Sequence, residues 1–275
     1  MRCWLNNIKD RNAKDGAIPV VSVPLFDRLK YRAGIFDLRG TLVDLDGRYK
    51  KVLYLKTVRD FGRRTGNRYL SSFNESDLEQ LLRMSASKRA EALERFGLDQ
   101  ETFNEAWLTD DALAIRMRYS QVQPDARVLR VLKSKGVKLG IVTSAVKRAA
   151  DMDVGLLKGK IGSRIFDEVV MTSYEPTLAP KPDPSAIRAC MARMSVSPDQ
   201  TFGVGNSDRD IAAYKAAGIL DILIERPGAL EMGASVERGL KASIKISSLE
   251  ELIPIVIQRG WVSRLLWRRP VPSAV

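Results

Sequence analysis

The sequence predicts an α/β protein: a Rossmann-like, doubly wound parallel sheet with an inserted small helical module. Three observations carry this expectation. Beyond Pro124, short apolar runs alternate with helical stretches as far as Ile224. A single apolar run, Ala33-Gly34-Ile35-Phe36, stands well ahead of that alternation. Between the two, residues 49–121 show helical spacing and few strand signals. Strands that alternate with helices build parallel sheets, because a helix is the usual crossover between parallel neighbours. In such sheets the ligand site lies beyond the carboxyl ends of the strands.

The elements follow in order. Residues 1–32 read as a polar, basic arm whose apolar stretch from Ile18 to Phe26 is broken by Pro19 and Pro24, which suits an edge element and not a central strand. Ala33 to Phe36 is a short buried strand ending at Asp37, and Gly40-Thr41-Leu42-Val43 is a turn. In the insert, Leu78, Leu81, Leu82 and Ser85 share one helical spacing, and Ala92, Leu93 and Phe96 another. Asn74 to Asp77 reads as a capped start, with Ser76 followed by Glu79, and Gly97 as a stop. The core resumes with a helix over Val128–Lys135 and a strand over Val137–Val142 that leads to Thr143, then a helix to about Leu157. A strand over Phe166–Met171, a helix over Pro184–Met194 and a strand over Thr201–Val204 follow. A helix over Asp210–Ala217 and a strand over Ile219–Ile224 complete the series. The domain plan is therefore an arm (1–32), a core (33–48 and 122–246), a helical cap (49–121) and a basic, aromatic tail (247–275). The tail residues Trp261, Arg264, Leu265, Leu266, Trp267, Arg268 and Arg269 read as a final helix packing its tryptophans on the core; a membrane surface or nucleic acid is the alternative partner.

Composition narrows the chemistry. The chain has 275 residues, enough for one core and an accessory module, and no apolar run approaches the roughly 18 residues that span a bilayer. Met1 to Asp15 lacks the apolar stretch of a secretory signal, so the cytoplasm is the expected compartment. Two distant cysteines, Cys3 and Cys190, argue against a disulfide framework or a zinc site. The absence of histidine excludes Ser-His-Asp and Cys-His catalysis and any imidazole-bound metal. Chemistry must run on carboxylates, lysine, hydroxyls and backbone groups, with magnesium the metal that suits hard oxygen ligands. The net charge of +12 favours anionic partners such as phosphorylated metabolites. The basic residues are spread along the chain, which fits a solvated surface better than a nucleic-acid footprint.

Four segments fall at the predicted strand ends: Phe36-Asp37-Leu38-Arg39-Gly40-Thr41-Leu42-Val43-Asp44; Ile141-Val142-Thr143-Ser144; Lys181-Pro182-Asp183-Pro184; and Val204-Gly205-Asn206-Ser207-Asp208-Arg209-Asp210. In order and separation they resemble the four motifs of the haloacid dehalogenase-like (HAD) hydrolase superfamily. The stretch Asp210-Ile211-Ala212-Ala213-Tyr214-Lys215-Ala216-Ala217-Gly218 is similar to that of its phosphoglycolate phosphatase-like branch. The resemblance implies a HAD-like core with a cap, and Asp37 as a nucleophile that takes up the phosphoryl group of a small phosphorylated substrate. It implies that Gly40, Thr143, Ser144 and Lys181 bind the phosphate. It also implies that Asp37, the backbone carbonyl of Arg39, Asn206 and Asp210 hold Mg2+.

Two positions depart from the family pattern. The family's phosphatases carry an aspartate, a general acid and base, where this chain has Arg39, and a guanidinium does not give up its proton. Arg39 is instead a candidate phosphate clamp. Asn206 replaces a customary aspartate ligand, which lowers the charge offered to a metal; Asp208 is a substitute of uncertain direction. The string Asp44-Leu45-Asp46-Gly47 is an alternative nucleophile motif, but no apolar strand leads into it, and Asp46 is better placed on a flap near the site. Three functions stay open: a Mg-dependent phosphatase with an altered acid–base step, a HAD-fold protein that binds a phosphorylated ligand or macromolecule without turnover, and a metal-independent dehalogenase-like hydrolase.

Overall fold

Apolar runs without polar alternation are found inside parallel sheets, where both faces are covered. The computed structural model describes residues 20–45, 47–77, 80, 91–95, 110–226 and 241–265. The chain divides into two compact units, Leu29–Val256, and Met1–Arg28 with Ile257–Val275. The elements begin with β1 (Val20–Leu29), β2 (Ala33–Phe36), β3 (Val43–Leu45), α1 (Gly47–Thr65), α2 (Arg68–Ser71) and α3 (Asp110–Tyr119). Next come β4 (Ser120–Val122), α4 (Val128–Ser134), β5 (Lys138–Thr143), α5 (Lys147–Ile161), β6 (Glu168–Met171) and α6 (Ser185–Met194). The series ends with β7 (Thr201–Gly205), α7 (Asp208–Ala217), β8 (Leu220–Ile224), β9 (Ile244–Ile246), α8 (Leu252–Val256) and β10 (Ile257–Leu265).

Six strands pair in the order β6-β5-β2-β7-β8-β9, and every pairing is parallel. Counted within this sheet the order is 3-2-1-4-5-6, that of doubly wound Rossmann sheets. The first strand, β2, is thus central, with the chain travelling outwards to one side and then to the other. All of β2 and β7, and all of β5 except Lys138, is buried. Phe36 stands opposite Ile141 on one side and Val204 on the other, so Asp37, Val142 and Gly205 come next in line at one end of the sheet.

Helices cover this sheet with small and flexible side chains that allow close approach. Ala186, Ile187, Cys190, Met191 and Met194 of α6 share a core cluster with Ile211, Ala213, Tyr214 and Ala217 of α7. Tyr214 is fully buried and its hydroxyl donates to the carbonyl of Val204 at 3.0 Å. A Cβ on Gly203 would lie 2.5 Å from the Tyr214 ring, so the glycine makes room for the tyrosine.

The helical insert opens and closes on an antiparallel ladder that its sequence does not signal: Val43 pairs with Val122, Asp44 with Gln121 and Leu45 with Ser120. Strands of three residues are too short for an alternation pattern to register. Asn74, not Ser76, caps the helical residues 75–77, accepting from the N–H groups of Ser76 (2.8 Å) and Asp77 (3.2 Å), while Asp77 accepts from the Asn74 N–H at 2.9 Å. Leu93 is buried as its spacing implies; Leu78, Leu81, Leu82, Ser85, Phe96 and Gly97 lie outside the described residues, as does Asp46. The strand expected from Phe166 starts later, at Glu168, because Asp167 turns the chain by accepting from the Leu139 N–H at 2.8 Å and Lys133 at 2.6 Å.

In the smaller unit, β10 pairs with the arm strand β1 in a two-stranded sheet, which corrects the final helix expected for Trp261, Arg264 and Leu265. Aromatic and β-branched residues favour a strand wherever a partner supplies a ladder. Both strands of such a sheet are edges, where Pro24 is tolerated.

The Gly203–Tyr214 contact makes a stability prediction. Tyr214→Phe loses one buried hydrogen bond and is expected to cost about 1 kcal/mol. Gly203→Ala drives a methyl into the ring and is expected to cost about 1–3 kcal/mol, even in the Tyr214→Phe background, because the ring remains. Urea midpoints at constant slope are the measurement; relief of the Gly203→Ala penalty by Tyr214→Phe would contradict this account.

Candidate active site

Turns at the carboxyl ends of β2, β5 and β7 build the site. The Asp37 N–H donates to the Val204 carbonyl at 2.9 Å, continuing the parallel ladder one residue past β2 and fixing where its side chain starts. The chain then doubles back, with the Leu38 carbonyl accepting from the N–H groups of Leu42 and Val43, both at 2.9 Å. Gly40 is needed twice here. Its φ of +80° is a left-handed conformation, and a Cβ would fall 2.1 Å from Asn206 Nδ2. Asn206 is therefore packed against the turn that carries Asp37.

Lys181 arrives from the loop after β6 and joins two carboxylates. Its ammonium lies 2.6 Å from Asp37 Oδ1, 2.5 Å from Asp210 Oδ1 and 3.1 Å from the Val142 carbonyl, three acceptors for three protons. The lysine is 4% exposed, so these bonds form out of water, where charge-assisted hydrogen bonds are strong. Its backbone is held as firmly. The N–H donates to Ser144 Oγ at 3.1 Å, and Arg209 grips the Lys181 carbonyl through Nε at 2.8 Å and through Nη2. The Lys181–Pro182 peptide is cis.

Asp210 has no idle oxygen: Oδ1 meets Lys181, and Oδ2 accepts from the N–H (3.1 Å) and hydroxyl (2.5 Å) of Ser207 in a capping box that starts α7. The carboxylate therefore stands behind Lys181. Asp37 is placed differently. Lys181 holds Oδ1, while Oδ2 has a long contact, 3.4 Å, from the Thr41 hydroxyl. Burial pushes the Asp37 carboxyl up to about 6; Lys181 opposes the shift and Asp210 adds to it. Burial pulls Lys181 down, but Asp210 and Asp37 more than offset that and raise it to about 12. The lysine thus stays charged over the range in which Asp37 ionises.

The remaining expected site residues split into two groups. Thr143 is buried at the end of β5, where Oγ1 accepts from the Ala145 N–H at 3.2 Å. The Ser144 hydroxyl accepts from the Lys181 backbone N–H at 3.1 Å. Arg39 instead points its guanidinium at α5, with Nε 3.5 Å from Asp153 Oδ2. The Asp153 side chain is 2% exposed, and burial raises its carboxyl to about 6, with Arg39 opposing and Asp44 adding. Sequence reading overlooked Asp153, although it had a signal. It sits on the stripe formed by Ala149, Ala150, Val154, Leu157 and Ile161, and a charge on an apolar helical stripe marks a buried, paired group. Arg209, in the first turn of α7, and the Asp125–Arg226 pair carry no such signal, since a single charged residue off an apolar stripe makes no pattern.

Among the described residues no group of three or more His, Cys, Asp and Glu side chains is arranged to hold a metal ion. The hard oxygens near the turn are Asp37 Oδ2, the Arg39 carbonyl and the Asn206 amide, with Asp210 held by Lys181 and Ser207. That set carries one formal charge and suits magnesium only when phosphate oxygens and water complete the shell.

A haloacid dehalogenase-like hydrolase family model matches residues 31–218, which contain Asp37, Arg39, Thr143, Lys181, Asn206 and Asp210. The chain belongs to this family. Among its relatives, a phosphoglycolate phosphatase from Pseudomonas fluorescens is 29% identical over 234 residues, 80% of this chain and 81% of that protein. Pyrophosphatase PpaX from Bacillus velezensis is 37% identical over 87 residues, a match spanning 32% of this chain and 38% of that relative's length. A crystal structure of a HAD phosphatase from Thermococcus onnurineus superposes with a TM-score of 0.56 at 24% identity, covering 82% of this chain and 97% of the other. Together they mark a HAD-like hydrolase of phosphatase type.

The charges around Lys181 give the first test. In metal-free buffer, a carbon-13 carboxyl titration is expected to show Asp37 ionising near 6 in the wild type. Lys181→Met removes the opposing charge and should move that midpoint upward; an unmoved or lowered midpoint would overturn the assignment. Asp153 gives the second. Its pKa is higher in the folded chain than the ordinary 3.8, so the fold holds this proton more tightly than the unfolded chain does. The cost of its charge is full above about 6 and is relieved as pH falls towards 3.8. Asp153→Asn should therefore gain stability relative to wild type between about pH 4 and about pH 7.5, by on the order of 1–3 kcal/mol. A pH-independent difference in urea midpoint would refute it.

Proposed function

We propose that this HAD-like hydrolase transfers the phosphoryl group of a small phosphorylated substrate to Asp37 and then to water, and that it prefers substrates whose leaving group departs without a proton. Acyl phosphates, phosphoanhydrides and aryl phosphates have that property. The observation that carries the reading is the state of Asp37: buried, with one oxygen locked to Lys181 and the other facing the Thr41 hydroxyl at 3.4 Å. Oδ2 is the oxygen left to attack phosphorus, forming an acyl phosphate and releasing the leaving group with the P–O bonding electrons. Lys181 keeps Asp37 ionised and offsets charge on the transferring group. Anionic oxygens would be met by N–H groups at the start of α5, after Thr143 and Ser144, since the Gly40 N–H is held by the Val43 carbonyl at 2.8 Å.

The Arg39 carbonyl and the Asn206 amide would hold Mg2+ beside the Asp37 carboxylate, with Asp210 behind them. When bound, the ion would neutralise phosphoryl oxygens. The neutral Asn206 supports weak binding by the protein alone. Arg39 cannot supply a proton, so the acid role does not fall to it, and its Nε is turned towards Asp153. That pairing also speaks against a dehalogenase reading, in which a free arginine would cradle halide. The pyrophosphatase name of one relative fits a phosphoanhydride substrate. No described helix is long and apolar enough to cross a membrane.

The experiment compares p-nitrophenyl phosphate and acetyl phosphate with an alkyl phosphomonoester, with and without magnesium. The first two should be hydrolysed and the alkyl ester about 100- to 10,000-fold more slowly, the usual worth of general acid–base help. Asp37→Asn should abolish all turnover. Arg39→Asp alone sets a new carboxylate against Asp153, so the paired variant Arg39→Asp/Asp153→Asn is the one expected to recover alkyl-ester hydrolysis. High wild-type activity on the alkyl ester would sink the leaving-group argument, and chloride release from a 2-haloacid without phosphate hydrolysis would favour the dehalogenase.

A further inference from the structure

Just beyond β8, Arg226 engages Asp125 and the nucleophile turn at once. Nη1 lies 2.9 Å from Asp125 Oδ2, and Nη2 lies 3.0 Å from Asp125 Oδ1, a two-pronged ion pair. The same Nη2 donates to the carbonyl of Thr41 at 2.8 Å. Both side chains are largely buried, 13% and 12% exposed. Asp125 is fixed in turn, because its Oδ2 also accepts from the Leu249 N–H at 2.8 Å and the Ser248 hydroxyl at 3.1 Å. These hydrogen bonds and the guanidinium outweigh burial and hold the Asp125 carboxyl below its ordinary value. Nearby, the Gln123 N–H donates to the Leu42 carbonyl at 2.9 Å, so two successive peptide groups of the turn are gripped, one by Arg226 after β8 and one from the segment that returns from the insert.

Thr41 is the residue whose hydroxyl donates to Asp37 Oδ2. Its carbonyl is a handle by which a group outside the turn can set that hydroxyl without entering the site. We infer that Arg226 is a positioning residue for Asp37: through the Thr41 carbonyl it fixes the turn Leu38–Val43, and so the direction in which Oδ2 faces phosphorus. Asp125 keeps the guanidinium in plane with both acceptors. A planar fork can serve a carboxylate and a carbonyl together, whereas an ammonium has to divide its bonds with less directional control. Displacing a reacting atom by about 1 Å costs up to about 100-fold in rate, while ground-state binding by other groups is untouched.

The kinetic arm of this inference rests on the proposed phosphoryl transfer; its structural arm does not. Wild type, Arg226→Lys and Arg226→Gln are compared on p-nitrophenyl phosphate, with melting curves and amide hydrogen exchange over residues 38–43. Arg226→Gln should lower kcat about 10- to 100-fold with KM within about twofold, and Arg226→Lys should fall between it and wild type. Exchange over 38–43 should quicken in both variants while β5 and β7 stay protected. Unchanged kcat in a folded Arg226→Gln, or a rise in KM that accounts for the whole loss, would overturn the inference. Loss of fold in both variants would make the pair purely structural and overturn it too. Should wild type fail to hydrolyse the ester, the phosphatase reading fails by itself, and unaltered exchange over 38–43 is then the result that rejects a positioning role for Arg226.

Discussion

Lys181 brings one positive charge into a space that holds two negative ones. Moving charged groups out of water costs several kcal/mol each unless the partners are close and every proton and lone pair is used. Here the three ammonium protons meet Asp37, Asp210 and the Val142 carbonyl, and neither water nor a second cation is required to satisfy the lysine. The arrangement ties together the ends of three neighbouring strand turns. It explains why Ser144, Arg209 and Ser207 are used to hold backbone and carboxylate in place and not to meet a ligand directly. It also leaves a net negative charge at the carboxyl end of β2, since two carboxylates face one ammonium.

Arg39 changes meaning once its partner is known. Read from sequence it is a missing acid or a clamp for phosphate. In the fold it answers Asp153, a carboxylate buried on the inner face of α5. An unpaired charge at that depth would be expensive, so positions 39 and 153 have to be understood together. The arginine at position 39 is then one side of a packing solution.

The sheet was legible because its signals are long and repeated. Val137–Val142 and Thr201–Val204 are apolar runs bounded by turns, each followed by a helical spacing, and a wrong end residue at Phe166 does not alter the topology. The site residues were legible through their position after such runs: Asp37, Thr143 and Asn206 all follow a buried strand. What escaped notice has a common cause. The β3–β4 ladder is three residues a side, the β1–β10 pair joins segments from opposite ends of the chain, and Asp125–Arg226 spans 101 positions. Pairing partners at such separation leave no local periodicity, so the tail was assigned by its own composition and taken for a helix.

The β3–β4 ladder also bears on how this protein can vary. The helical insert leaves the core at Leu45 and returns at Ser120, and those two residues are paired with each other. An excursion whose ends already touch has its loop closed at the base, so the chain in between can lengthen at a cost of only about 0.6 kcal/mol per doubling. The sheet register, fixed by residues outside that gate, does not feel the change. The fold therefore separates two kinds of segment: a strand-end turn fixed by hydrogen bonds on several sides, and an insert whose length the core does not sense.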